Sequence, residues 1–181
     1  MIYQRLVVFL EGNDDLRFFE KIVQPLVESK GYDVSIYQYA RETPHKVNAY
    51  IKSINAMPRT DYLFFADYDF SRCISARVDV LIQKYRFLER GKIRIVIKEI
   101  ESWYLAGLNN DACRKLKIPV FNDTNEVIKE KFDSLIPKKF QRSRIDFMQE
   151  LLKHYDWGTA KQKNRSFHYL FQKRRFLGEQ T

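Results

Sequence analysis

Short apolar runs alternate with amphipathic stretches along the first hundred residues. Residues 2–10 (Ile-Tyr-Gln-Arg-Leu-Val-Val-Phe-Leu) end in an unbroken apolar run, the pattern of a central strand covered on both faces. Glu11-Gly12-Asn13 interrupts it. Asn13 or Asp14 then stands where a helix cap is wanted, ahead of Leu16, Phe19, Ile22, Val23 and Leu26 at helical spacing. Gly31 marks the C-terminal end of that helix. Residues 34–39 alternate as a second strand. Pro44 opens a second helix with Val47, Tyr50, Ile51 and Ile54 on one face, and Pro58 closes it. Residues 62–66 form a third buried strand. Residues 76–88 read as a helix presenting Val78, Leu81, Ile82, Tyr85 and Leu88, with Gly91 ending it before a fourth strand at 93–97. Strand and helix alternate strictly, which predicts a three-layer α/β fold: a mostly parallel four-stranded sheet with helices on both faces. A short helix follows at 101–107. Beyond Pro119 the chain reads as helical at about 124–131, 141–154 and 161–176. The division expected is an α/β domain over 1–120 and a basic, mostly helical extension over 121–181 packed on it.

Composition supports a folded interior. The chain has 181 residues, 45% of them hydrophobic, with six Gly and five Pro, which excludes disordered, collagen-like and disulfide-framework classes. Its apolar stretches are strand-sized, and none approaches the roughly 18 residues of a membrane span. The start of the sequence shows no secretory leader pattern, so a cytoplasmic protein with no membrane partner is expected. Cys73 and Cys113 match no metal spacing and are read as reduced and structural. His45, His154 and His168 are scattered, and each is read as a surface or packing residue. The net charge is +9, and residues 131–181 carry +7 of it. Such a field attracts polyanions, nucleic acid first.

The acids have a pattern of their own. In an open parallel sheet, ligands bind at the carboxyl ends of the strands. Glu11 follows the first strand, Asp67 and Asp69 the third, and Glu99 and Glu101 the fourth. Residues two apart on extended chain project to one side, so each close pair is expected to point together. Two carboxylates about 4 Å apart repel by about 4 kcal/mol at an effective dielectric near 20. A proton, a basic partner or a hard divalent cation offsets that cost, and Mg²⁺ or Mn²⁺ suits an all-oxygen set.

These residues carry a family resemblance. The strand ending in Glu11-Gly12, followed by Asn-Asp-Asp15 and then Phe-Phe, resembles the first motif of the Toprim domain. Phe-Phe-Ala-Asp67-Tyr-Asp69 resembles its second, the Asp-x-Asp. The likeness covers residues 1 to about 105. Toprim domains occur in type IA and II topoisomerases, bacterial primases, OLD-family nucleases and small ribosomal-RNA maturases. The resemblance implies a Rossmann-like fold, Glu11 as general acid/base, Asp67 and Asp69 as Mg²⁺ ligands, and Asp15 as an acid helping to hold metal. Glu99-Ile-Glu101-Ser-Trp103 resembles a Glu-x-Glu-x-Trp signature of small stand-alone Toprim-like proteins, which adds Glu101 and Glu99 as further ligands. Topoisomerase, primase and ATPase modules do not fit in this length. The expectation is therefore a small Mg²⁺- or Mn²⁺-dependent phosphodiester-cleaving enzyme acting on DNA or RNA. Lys98, a candidate catalytic residue, and Arg72, a candidate nucleic-acid contact, lie near the acids in sequence and either contact a phosphate or pair with the acids.

The basic end completes the reading. Lys138, Lys139, Arg142, Arg144, Lys161, Lys163, Arg165, Lys173, Arg174 and Arg175 are candidate nucleic-acid contacts. The aromatics among them, Phe167 and Phe171 at helical spacing with Leu170, are read as core-facing rather than base-stacking. The main alternative is a non-catalytic nucleic-acid-binding or regulatory subunit that keeps the scaffold. A receiver-like phosphoacceptor leaves Asp69 and Glu101 without a role, and the chain is short for a nucleotide-sugar transferase.

Overall fold

A computed structural model describes residues 4–69 and 71–172. The chain divides into two compact units, Met1–Val96 and Ile97–Thr181. The division falls at the end of the fourth strand, not near residue 120. Residues 101–108 are all buried, and the helix they begin packs on later helices of the second unit.

The first unit holds four parallel strands, β1 (Gln4–Leu10), β2 (Tyr32–Gln38), β3 (Thr60–Asp67) and β4 (Ile93–Val96), in the order β2-β1-β3-β4. With its flanking helices it is the expected three-layer α/β sheet, Rossmann-like in topology. Leu6 through Leu10 are buried without a break, as a strand between two neighbours and two helical layers requires. Alternate residues feed the two faces. Val7 and Phe9 of β1 and Tyr62, Phe64 and Ala66 of β3 pack with α3 (Pro44–Ala56) and α4 (Ile74–Lys84) through Val47, Ile51, Ile54, Val78 and Leu81. Rings dominate this core: Phe9–Phe64 centroids are 5.6 Å apart, and Tyr39 stacks on Phe64 at 4.4 Å. Truncating Phe64 to Ala costs about 3–5 kcal/mol on this account.

The opposite face is covered by the β1–β2 connection. It runs as α1 (Asn13–Phe18), a π-helical stretch Phe19–Val23 and α2 (Gln24–Ser29), with Phe19 edge-on to Phe65 at 6.0 Å. The continuous helix expected from the sequence is thus re-registered just before Pro25, which has no amide hydrogen to donate. Its cap is Gly12, not Asn13 or Asp14. Gly31 ends the connection at φ +86°, where a side chain is disfavoured. Pro44 starts α3 as the sequence predicts, and Thr43 caps it.

The second unit is helical: α5 (Glu101–Ala106), α6 (Asn110–Leu116), α7 (Lys129–Ser134), α8 (Arg144–Leu152), α9 (Trp157–Lys163) and α10 (Arg165–Gln172). The single helix expected over 161–176 is broken at Asn164, whose Oδ1 accepts from Phe167 N–H at 3.0 Å and caps α10. Asn164 is 1% exposed. Its amide donates to Ser102 and Thr124, both at 3.2 Å, and its Oδ1 accepts from Ser166 at 2.8 Å. Ser166 in turn accepts from the Trp103 indole at 2.8 Å. A buried polar network of this kind stabilises because each described member has a partner. Gly107 is required by close approach, since a Cβ there would stand 2.4 Å from the Tyr155 ring. Among the described residues no helix is long and apolar enough to cross a membrane.

Candidate functional site

The connections to β2 and to β4 leave β1 and β3 on opposite faces, so the β1–β3 edge is the switch point where parallel sheets bind ligands. Glu11 and Asp67 stand at that edge. Pleating sets Asp67 on the Phe65 side of the sheet. Glu11 is held from the Phe64 side by Tyr39, whose hydroxyl lies 3.2 Å from Glu11 Oε2 and 3.0 Å from the Phe65 carbonyl oxygen. Tyr39 is 5% exposed, and its ring is fixed between Phe64 and Tyr85. Burial, then the negative charge of Glu11 and the hydrogen bond to it, push the phenol far above the usual tyrosine range. Tyr39 therefore stays protonated and can only donate to Glu11. Asp15 is buried, and its Oδ2 accepts from Gly12 N–H at 3.0 Å. Gly12 leaves room for that contact, since a Cβ there would stand 3.3 Å from the same oxygen.

The Asp67-Tyr68-Asp69 segment is a structured turn. Tyr68 N–H donates to Val96 O at 2.9 Å, extending the β3–β4 ladder by one bond. Asp69 adopts a left-handed φ of +48°, which aspartate tolerates better than most residues. Asp67 and Asp69 therefore do not project together as an extended chain would have them. Arg77 of α4 fixes the turn: its Nε donates to the Asp67 carbonyl at 2.8 Å and its Nη2 meets Asp69 Oδ2 at 2.6 Å. The Arg77 side chain is 14% exposed, against 52% for Asp69. Sequence reasoning named Arg72 and missed Arg77. Arg72 is exposed, while Arg77, one turn into α4, reaches back over the turn.

Glu99 and Glu101 lie in the second unit. β4 ends at Val96, so neither extends a strand. Glu99 Oε2 accepts from the backbone N–H of Lys129, where α7 begins. Glu101 opens α5, is 4% exposed, and pairs with Arg144, which also meets Asp133 at 2.6 Å. Burial raises the Glu101 carboxyl above its ordinary range, its own backbone N–H and Arg144 oppose the rise, and Glu99 adds to it. Arg144, expected at a nucleic-acid surface, is thus an internal counter-ion whose guanidinium also lies 5.2 Å over the Phe132 ring. Lys98 pairs with the exposed Glu126 at 3.1 Å. Lys163 donates to the Leu108 carbonyl at 2.6 Å. Lys138, Lys139, Arg142 and Arg165 are exposed, and Lys161 is partly so. Phe167 is fully buried against Trp103, Tyr155 and Trp157, the core role expected of it. Lys173, Arg174 and Arg175 lie outside the described residues, as does the Phe171 side chain.

The first unit's donors are carboxylates, the chemistry a hard divalent cation prefers. Among the described residues no three His, Cys, Asp or Glu converge on one point as the side chains stand, with Asp69 turned to Arg77 and Asp15 to Gly12. Compared with protein-family models, curated proteins and solved structures, the chain gives no match.

Proposed function

We propose that this protein cleaves phosphodiester bonds in nucleic acid with a divalent cation, Mg²⁺ or Mn²⁺, held at the β1–β3 edge. One observation carries the reading: Glu11 and Asp67 end adjacent central strands at the switch point of a parallel sheet. The Toprim-like motifs at Glu11-Gly12 and Asp67-x-Asp69 support the same assignment. In this reading Asp67 and Asp69 supply carboxylate oxygens to the cation and Asp15 buttresses the turn at Gly12. When bound, such a cation polarises a phosphoryl oxygen and stabilises charge on the leaving oxygen. Glu11 would take the proton of the attacking water and pass it to the leaving oxygen, and Tyr39 keeps its carboxylate in one orientation. The exposed Lys138, Lys139, Arg142 and Arg165 contribute the cationic field that draws in a polyanion.

The test is cleavage of labelled single-stranded and duplex DNA and RNA with Mg²⁺, with Mn²⁺ and with chelator. Metal-dependent cleavage is expected, and it is lost in Asp67→Ala and Glu11→Gln. Cleavage that persists in Asp67→Ala would falsify the assignment. Two ion pairs, Asp69–Arg77 and Glu101–Arg144, favour a second reading in which the scaffold binds nucleic acid without turnover. Salt-sensitive binding that ignores both chelator and Asp67→Ala, with no cleavage, selects that one.

A further inference from the structure

The two edges of the first unit's sheet are built differently. β4 is four residues long, carries Arg94 and directly follows Lys92, the short and charged form that blunts an edge. β2 (Tyr-Asp-Val-Ser-Ile-Tyr-Gln) runs for seven residues in unbroken register with β1, with no Lys, Arg, Pro or bulge. Tyr39 N–H donates to the Leu10 carbonyl at 3.0 Å, which fixes the phase of that parallel ladder. Asp33, Ser35 and Tyr37 therefore turn their backbone groups to β1, and Val34, Ile36 and Gln38 turn theirs outward. Among the described residues no strand takes those outward groups, and Val34 and Ile36 are only partly buried. Unpaired edge amides and carbonyls are a template for another strand.

The β2 sequence fits itself. Laid antiparallel against a second β2 with full overlap, the outward groups of Val34 meet those of Ile36 of the second copy, and Ser35 meets Ser35 on a two-fold axis. Val34 and Ile36 share one face, so two apolar cross-strand pairs form there. On the other face the strand's one charge, Asp33, falls opposite Tyr37 of the second copy. Each Asp33 is already paired with its own Arg5 at 3.6 Å, and no like charges face each other across the seam. We infer that two copies of this chain join antiparallel through β2 about an axis at Ser35, making one eight-stranded sheet from two four-stranded ones. The pairing is independent of what the strand-end acids do. A contact one strand long is small, so the dimer is concentration-dependent.

The experiment uses the full chain with Cys73→Ser, which removes the exposed thiol and leaves the buried Cys113. In that background Ser35→Cys, Val34→Cys and Ile36→Cys are oxidised with copper phenanthroline and run on non-reducing gels. The axis sets the two Ser35 Cα atoms about 4.5 Å apart, within disulfide reach. It sets the two Val34 positions, and likewise the two Ile36 positions, about 7–8 Å apart, beyond that reach. The covalent dimer is therefore expected at least about tenfold faster from Ser35→Cys than from either neighbour. In sedimentation equilibrium the wild-type mass is expected to rise from monomer to dimer with concentration. Ser35→Lys sets two ammonium groups face to face and is expected to weaken association about tenfold or more. Far-UV circular dichroism verifies folding, and Ile36→Lys carries the test if Ser35→Lys does not fold. A wild type that stays monomeric up to about 1 mM overturns the inference. So does a dimer that the lysine variants leave intact, or cross-linking no faster at position 35 than at 34 and 36, since each puts the interface elsewhere.

Discussion

Two acid pairs of the same spacing, Asp67-x-Asp69 and Glu99-x-Glu101, meet opposite fates. Each comes after a strand of one sheet and each acquires an arginine. In the first unit the pair forms an open turn, with Asp69 half exposed beside Arg77. In the second, Glu101 is drawn into the interior as the first residue of a buried helix, and Arg144 goes in with it. The difference lies in the next stretch of chain. After Asp69 the backbone turns toward an amphipathic helix that covers one sheet face and leaves its start outside. After Glu99 it enters Trp103-Tyr104-Leu105-Ala106, apolar all round, which pulls the helix start inward. An acid's chemistry is therefore set by its downstream neighbours as much as by the strand before it.

The largest effect expected from this contrast is in the buried pair. Arg144→Ala leaves the buried Glu101 carboxyl without its counter-ion and lowers stability by about 3–5 kcal/mol, read from urea unfolding. A loss below about 1 kcal/mol would show that the site is wetter than its burial indicates. Removing the Tyr39 hydroxyl comes next. Tyr39→Phe removes the single hydroxyl hydrogen that the Glu11 carboxylate and the Phe65 carbonyl share, at about 1–2 kcal/mol, and alters the pH profile of any cleavage more than its cation affinity. A shift in cation affinity alone would separate Glu11 from proton transfer. In the turn, Arg77→Ala costs about 1 kcal/mol, because the Asp69 carboxylate regains water and only the Asp67 carbonyl loses its donor. A drop comparable to that of Arg144→Ala would erase the distinction between the two pairs.

The subtlest prediction concerns pH. Burial raises the Glu101 carboxyl above its ordinary 4.5, so the folded chain holds that proton more tightly than the unfolded one. The resulting stabilisation is complete below the ordinary value and is lost as pH rises through the raised one. Wild type should therefore lose stability relative to Glu101→Gln as pH climbs above the ordinary 4.5 and through the raised value, measured as urea midpoints. Parallel curves would mean that Glu101 titrates as if solvated.

Much of the first unit was legible because its strands are buried on both faces and so appear as unbroken apolar runs, punctuated by Gly12, Gly31, Pro44 and Pro58. The rule that ligands gather at strand ends located Glu11 and Asp67. Partners were not legible. The Arg77 grip depends on a left-handed residue and on a helix returning over its own entry loop, and no local pattern encodes either. Helix α6 was passed over although Asn109 caps it and Ala112, Cys113 and Leu116 repeat at helical spacing. The break at Asn164 had a visible signal, an asparagine ahead of Ser166 and Phe167, but the amphipathic pattern on either side masked it. Arg144 was read as a surface charge because sequence alone does not reveal that a guanidinium has a buried carboxylate to answer.

The Asn164 network joins stretches of the second unit that lie far apart in sequence. One side chain ties Ser102, Thr124 and Ser166, groups spread across more than sixty positions of chain. Ties of such wide sequence separation form slowly, since the intervening loop must be ordered first. During synthesis the helix bearing Trp103 emerges long before the residues that satisfy its indole. Until then that segment is an apolar stretch in need of shelter, and a ribosome stalled short of residue 164 would hold a nascent chain prone to chaperone capture or proteolysis.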